Sequence, residues 1–235
     1  MIKKKSKRFI DLSFKIDKKL YDLNESIKLL KTISNAKFDE TVEAHFSLNL
    51  DPKYANQQLR STVILPKGSG KKVRVAVVAK GKDLDLAKIA GADICGSEDL
   101  VERISNGYLK FDYLIVTPES MPWVAKLGKI LGPKGLMPSV KSGTVSSNLD
   151  QSIKEFRLGK LEYRVDKTGV VHIPFGKSSF SENDLLINLI TVINSIVKNK
   201  PNGIKNKFWK TLHIASTMSP SINIDINKLK EGNIK

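Results

Sequence analysis

Residues 73–79 read VRVAVVA, an apolar, β-branched run that only Arg74 interrupts. A run of this kind without alternation marks a strand covered on both faces. Working downstream, a short helical stretch DLDLAKIAG (83–91) leads to Ile94-Cys95, and SEDLVERIS (97–105) follows with Ser97 in the capping position. YLIVT (113–117) is a second buried strand, and ESMPWVAKLGKIL (119–131) is helix-like. Strands that alternate with helices predict a parallel sheet with helices on both sides. The block runs to about residue 159.

The sequence on either side is written differently. Upstream, Asn24 can cap a helix through Ser34 that carries Ile27, Leu29, Leu30 and Ile33 on its apolar side. ETVEAHFSLNL (40–50) then alternates, with Val42, Ala44, Phe46, Leu48 and Leu50 on one face, which predicts a half-buried strand. Asp51-Pro52 breaks it and STVILP (61–66) resumes as a short strand. Downstream, LEYRVDKTGVVHIP (161–174) reads as a hairpin around a glycine-containing turn. Ser181 opens a long helix with Asp184 near the capping-box position, and NKPNG (199–203) stops it. FWKTLHIAST (208–217) and SINIDI (221–226) are two more alternating strands. The parallel block therefore reads as an insertion into an α+β domain assembled from the two outer pieces. The expected domains are 1–68 plus 160–235, and 69–159.

Of the 235 residues, 40 are Lys or Arg and 24 are Asp or Glu, for a formal net charge of +16. The outer pieces hold net charges of +6 and +6 and the insert +4. An excess of this size favours a polyanionic partner. No apolar run approaches the roughly 18 residues that span a bilayer, so no membrane partner is expected. Cys95 is the single cysteine and excludes an intrachain disulfide.

Catalytic chemistry finds little to rest on. LGKILGPKGLMPSVKSG (127–143) invites a phosphate-cradle reading, but Pro133 removes an N–H directly after Gly132. LPKGSGKK (65–72) comes nearest to a Walker loop, yet Leu65 stands where the first glycine belongs and Lys72 where the hydroxyl belongs. His45, His172 and His213 have no ligand-spaced partners and read as core or surface-bonded histidines. The expectation is no enzyme, no metal and no cofactor; a nucleotide-binding enzyme would rest on the Rossmann-like pattern alone, a poor guide to activity. Two basic clusters remain: Lys3, Lys4, Lys5, Lys7 and Arg8, and Lys198, Lys200, Lys205, Lys207 and Lys210 with Phe208 and Trp209 interleaved. Lysines beside aromatic faces suit RNA, the alternative being a solvated face with Phe208 or Trp209 in the core.

Four stretches taken together are more specific. AKFDETVEAHFSLNLDPKYANQQLRSTVILPKGSGK (36–71), GPKGLMPSVKSGTV (132–145), VDKTGVVHIPFGK (165–177) and STMSPS (216–221) occur in this order. They resemble the family of the first-numbered large-subunit ribosomal proteins, over about residues 3–230, and DPKYANQQLR is most similar to its cyanobacterial and plastid branch. The resemblance implies a split α+β sandwich built from both termini and an inserted Rossmann-like three-layer α/β domain. It implies direct binding of large-subunit rRNA within the large ribosomal subunit and formation of the mobile stalk. It also implies help in releasing deacylated tRNA from the exit site, and in bacterial members repression of the protein's own mRNA. The ribosome would be that of a plastid stroma or a bacterial cytoplasm. By motif, the implied rRNA-binding residues are Lys37, Phe38 and Thr41 from AKFDET, His172 and Lys177 from VHIPFGK, and Thr217, Met218 and Ser219 from STMSPS. Phe38 and Met218 would offer apolar faces to bases and riboses, and are expected close together in space. The family pattern has glycine where Ser219 stands. If that glycine serves a positive φ, serine there strains the turn and crowds the RNA.

Overall fold

A computed structural model of the chain describes residues 6–201, 204 and 207–226. The chain forms two compact units, Met1–Gly70 with Tyr163–Lys235, and Lys71–Glu162.

In the first unit, α1 (Lys7–Phe14) and α2 (Leu23–Ile33) precede β1 (Thr41–Leu48) and β2 (Arg60–Ile64). The second unit then runs through β3 (Val75–Val78), α3 (Lys82–Ile89), β4 (Ile94–Gly96), α4 (Glu98–Ser105) and β5 (Tyr113–Val116). It continues with α5 (Met121–Ala125), α6 (Gly128–Leu131) and α7 (Leu149–Leu158). The chain returns through β6 (Lys160–Arg164) to β7 (Val170–Lys177), α8 (Glu182–Lys198), β8 (Trp209–Ser216) and β9 (Ile222–Ile224).

In the insert, the parallel sheet has the order β4-β3-β5. All four residues of β3 are buried, which is why its sequence does not alternate. Val75 and Val77 pack with Ala87 of α3 and Leu149, Ile153 and Phe156 of α7. Ala76 and Val78 face the other way, toward Leu100, Ile104, Val124 and Leu131 from α4, α5 and α6. These are the three layers. The helix-like stretch 119–131 is two short helices, α5 and α6, rather than one.

In the terminal unit, an antiparallel sheet has the order β7-β1-β8-β9. Val42, Ala44, Phe46 and Leu48 are buried and their odd-numbered neighbours half-exposed, as a one-sided sheet requires. The core also holds Ile27, Leu30 and Ile33 of α2 and Leu185, Leu189, Val192, Ile193 and Ile196 of α8. Ser181 caps α8 by accepting from the Asp184 N–H at 3.1 Å. The cap of α2 is Asp22, ahead of the expected Asn24.

The hairpin expected at 161–174 is only partly formed. Val165 and Val171 make a single antiparallel bridge, while β6 pairs with β2 and β7 with β1. The turn itself is firm: Asp166 accepts from the N–H groups of Thr168 and Val170, both at 2.8 Å. Those bonds, the Val170 amide foremost, hold its carboxyl down at a pKa of about 2. The strands on either side simply feed different sheets.

Candidate nucleic-acid interface

Register decides which of the expected contact residues meet. Thr41 stands opposite Lys177, and Val42 opposite Ser216. The start of β1 therefore lies between the ends of β7 and β8, and Thr41, Lys177 and Thr217 gather at one edge of the sheet. The Lys177 ammonium donates to the Thr41 hydroxyl at 2.8 Å. The Thr41 N–H donates to the Thr217 hydroxyl, and the Thr217 N–H to the Thr41 carbonyl, both at 3.1 Å.

Beneath this edge lies Glu40, 2% exposed. Its carboxylate accepts the Ala36 N–H on one oxygen at 3.0 Å. The other oxygen accepts the Ser216 hydroxyl at 2.7 Å and the Met218 N–H at 3.0 Å. Burial alone would push its carboxyl up. The bonds from Ser216, Met218 and Ala36, helped by the charge of Arg8, outweigh burial and hold it below the ordinary range. Arg8 of α1 also donates to the Met218 carbonyl at 3.3 Å. Arg8 is thus bonded into the fold. Lys3, Lys4 and Lys5 of the same basic cluster, and Lys205 of the second, lie outside the described residues.

A second carboxylate ties the loops together from outside. Asp39 accepts the Ser178 hydroxyl at 2.9 Å and the Ser179 N–H at 3.1 Å. Burial works against its ionised form, but bonds from Ser179 and Ser178 and the charge of Lys177 prevail and lower its pKa. Gly176 allows the close approach here: a Cβ on it would lie 2.6 Å from Leu185 Cδ2 and 3.2 Å from Phe180. Above this bonded frame the apolar side chains are left out. Phe38 is 54% exposed and Met218 49%, and Lys37, next to Phe38 in sequence, is exposed as well. The single Glu40 side chain joins the two segments that carry Phe38 and Met218.

With this geometry in place, comparison with known proteins decides the family. The model of the "Ribosomal protein L1p/L10e family" matches residues 29–220. A large ribosomal subunit protein uL1c of Porphyra purpurea is 61% identical over 228 residues, covering 97% of this chain and all of its own length. The chain belongs to the ribosomal protein L1p/L10e family. A large ribosomal subunit protein uL1 of Prochlorococcus marinus (strain MIT 9515) is 54% identical over 98% of both chains. The uL1c protein of Arabidopsis thaliana is 55% identical over 96% of this chain and 65% of its own. These L1-family relatives are plastid-type and cyanobacterial ribosomal proteins, and none is named as an enzyme.

In the L1-type fold one expectation is corrected, one open alternative is decided and one residue proves to stand apart. Ser219 has no positive φ, since among the described residues only glycines do. Its hydroxyl turns inward, accepting from the Ser216 N–H at 2.9 Å and lying 3.1 Å from the Pro220 carbonyl. Serine therefore closes the turn instead of straining it. Phe208, expected either in an RNA-facing cluster or in the core, is in the core, and Trp209 packs on Phe46 at 5.7 Å between ring centroids.

His172 stands apart from the strand-end group. Five residues of extended chain separate it from Lys177, about 16 Å. It faces His45 instead, with 2.8 Å between their Nδ1 atoms, and His213 completes a row across β7, β1 and β8. Burial, then the neighbouring His172 and His213, push the His45 pKa down. Among the described residues no group of histidines, cysteines and carboxylates is arranged to hold a metal ion.

The serine hydroxyls of the 127–143 stretch bond locally. Ser142 lies 2.9 Å from the Ser139 hydroxyl and 2.8 Å from the Thr144 hydroxyl, and Gly135 takes a positive φ of 69° in the turn after α6.

Proposed function

We propose that this protein binds large-subunit rRNA directly through the strand-end surface of its terminal unit, using Lys37, Phe38, Thr41, Lys177, Thr217, Met218 and Ser219. One observation carries the reading: Phe38 and Met218 stand about half exposed on a frame whose polar groups are otherwise bonded. Exposed apolar faces on a rigid base suit riboses and unstacked bases. Lys37 meets phosphate, and Lys177, with two of its three ammonium protons not engaged by Thr41, meets a second. His172 belongs to the open sheet face, which an RNA extending beyond the strand ends would reach.

In the large subunit this protein would form the mobile stalk and assist the departure of deacylated tRNA from the exit site. The same surface would bind the protein's own mRNA. The test is filter binding of a large-subunit rRNA fragment to the wild-type chain, Phe38→Ala and Met218→Ala. Each truncation is expected to cost more than removal of Lys7, and equal small losses for all three would reject the surface. A gel shift with the leader of its own mRNA, competed by the rRNA fragment, tests the repressor role.

A further inference from the structure

We infer that Glu40 is a positioning residue for the RNA-contact surface, an inference that rests on the surface proposed above. Among the described residues it is the one charged side chain that is buried. A buried carboxylate beneath a surface meant for a polyanion is electrostatically unfavourable, so its presence calls for a compensating role. The three bonds it accepts supply one. Ala36 and Met218 are 182 residues apart in sequence, yet one carboxylate holds both backbone N–H groups at 3.0 Å. Ser216 secures the same oxygen as Met218, and Arg8 grips the Met218 carbonyl from the other side. The peptide groups flanking Met218 are thus fixed by an anion and a cation, and the loop that presents Phe38 is fixed by the same anion.

Neither exposed side chain has to be held by its own packing. The spacing between an aromatic face and a thioether face, which RNA would read, is set by a group that RNA never touches. A glutamine cannot replace it. Its amide keeps one acceptor oxygen and turns a donor toward N–H or O–H donors on the other side, so the bond to one of the two segments is lost.

The experiment compares Glu40→Gln with the wild-type full chain in three measurements: rRNA-fragment affinity, its salt dependence, and amide hydrogen exchange. The expected result is an affinity loss of about tenfold or more, with an unchanged slope against salt because no phosphate contact is removed. Exchange at Ala36 or Met218 should accelerate while β1 and β7 amides stay protected. A double-mutant cycle adds what mere destabilisation would not give: Phe38→Ala should cost less in the Glu40→Gln background than in the wild type. Ser216→Ala, which removes only one donor, serves if Glu40→Gln does not fold, and is expected to show the same pattern more weakly. Full affinity, or additive losses in the cycle, would overturn the positioning role while leaving the surface intact. Full affinity in Phe38→Ala and Met218→Ala themselves would overturn the surface, and the inference with it.

Discussion

Two regions of this chain bond polar groups internally with different results. The 127–143 stretch is the most conspicuous in the sequence, dense in glycine, proline and lysine. Its hydroxyls bond to one another, and what it builds is a turn after α6. The strand-end group is scattered over Arg8, 36–41, 176–179 and 216–219 and is inconspicuous in any one segment. Its polar groups also bond internally, but they do so in order to hold two apolar side chains out of the protein. Local oddity marks a shape that the backbone needs. A contact surface is marked by what is left exposed when the bonding is complete.

The sharpest test of this contrast is truncation of the exposed pair. Base–aromatic stacking is worth about 1–3 kcal/mol per base, so Phe38→Ala is expected to weaken rRNA binding by about five- to 150-fold in a filter-binding titration, and Met218→Ala, through lost apolar contact, by about tenfold. Lys177→Ala comes next. It should cost about as much as one phosphate contact and lower the salt slope by about one. An unchanged slope would show that its ammonium serves only Thr41.

Acid separates the two regions in another way. Glu40 has a folded pKa below its ordinary 4.5. Its contribution to stability is therefore complete above that value and is lost as pH falls through the lowered folded value. In an NMR titration, the Ala36 and Met218 amide resonances should hold steady down to about pH 4.5 and move below it. Those of Ser142 and Thr144, whose partners do not titrate, should stay. Ser219→Gly is the mildest change at the strand ends. It removes the bond to the Ser216 amide and adds backbone freedom, for an expected loss of about two- to fivefold in affinity. Tighter binding by the glycine variant would show that the serine hydroxyl crowds the RNA after all. Lys129→Ala with Lys134→Ala should leave the affinity for the rRNA fragment unchanged.

Much of this architecture was legible residue by residue. VRVAVVA announced a strand buried on both faces, and the alternation of Val42, Ala44, Phe46 and Leu48 announced a one-sided strand. Ser181 marked its helix. What escaped depended on partners. Nothing near residue 165 says that β6 will pair with β2, so a bridge of one residue pair read as a hairpin. The row of His172, His45 and His213 exists only once register is known, because each histidine is alone in its own segment. Motif similarity named both His172 and Lys177 as contact residues, but only register shows that they occupy different places on β7. Glu40 did leave a trace that went unread. It occupies the same alternation phase as Val42 and Ala44, and an acid in the buried phase of a strand needs internal donors. The serine turn, by contrast, could not be read, since the partner of the Ser219 hydroxyl, the Ser216 amide, is known only once the turn is formed.

The strand order β7-β1-β8-β9 carries a consequence for biosynthesis. The central strand is translated early, and both of its neighbours late. At roughly 5–20 residues per second, β1 waits on the order of ten seconds or more for the segment that ends at Met218. The insert needs only its own contiguous sequence and can fold during that interval. A nascent chain can therefore carry a folded insert before the strand-end group proposed to contact rRNA is assembled. Engagement with RNA through the proposed surface would wait until synthesis has passed the Ser216–Ser219 turn.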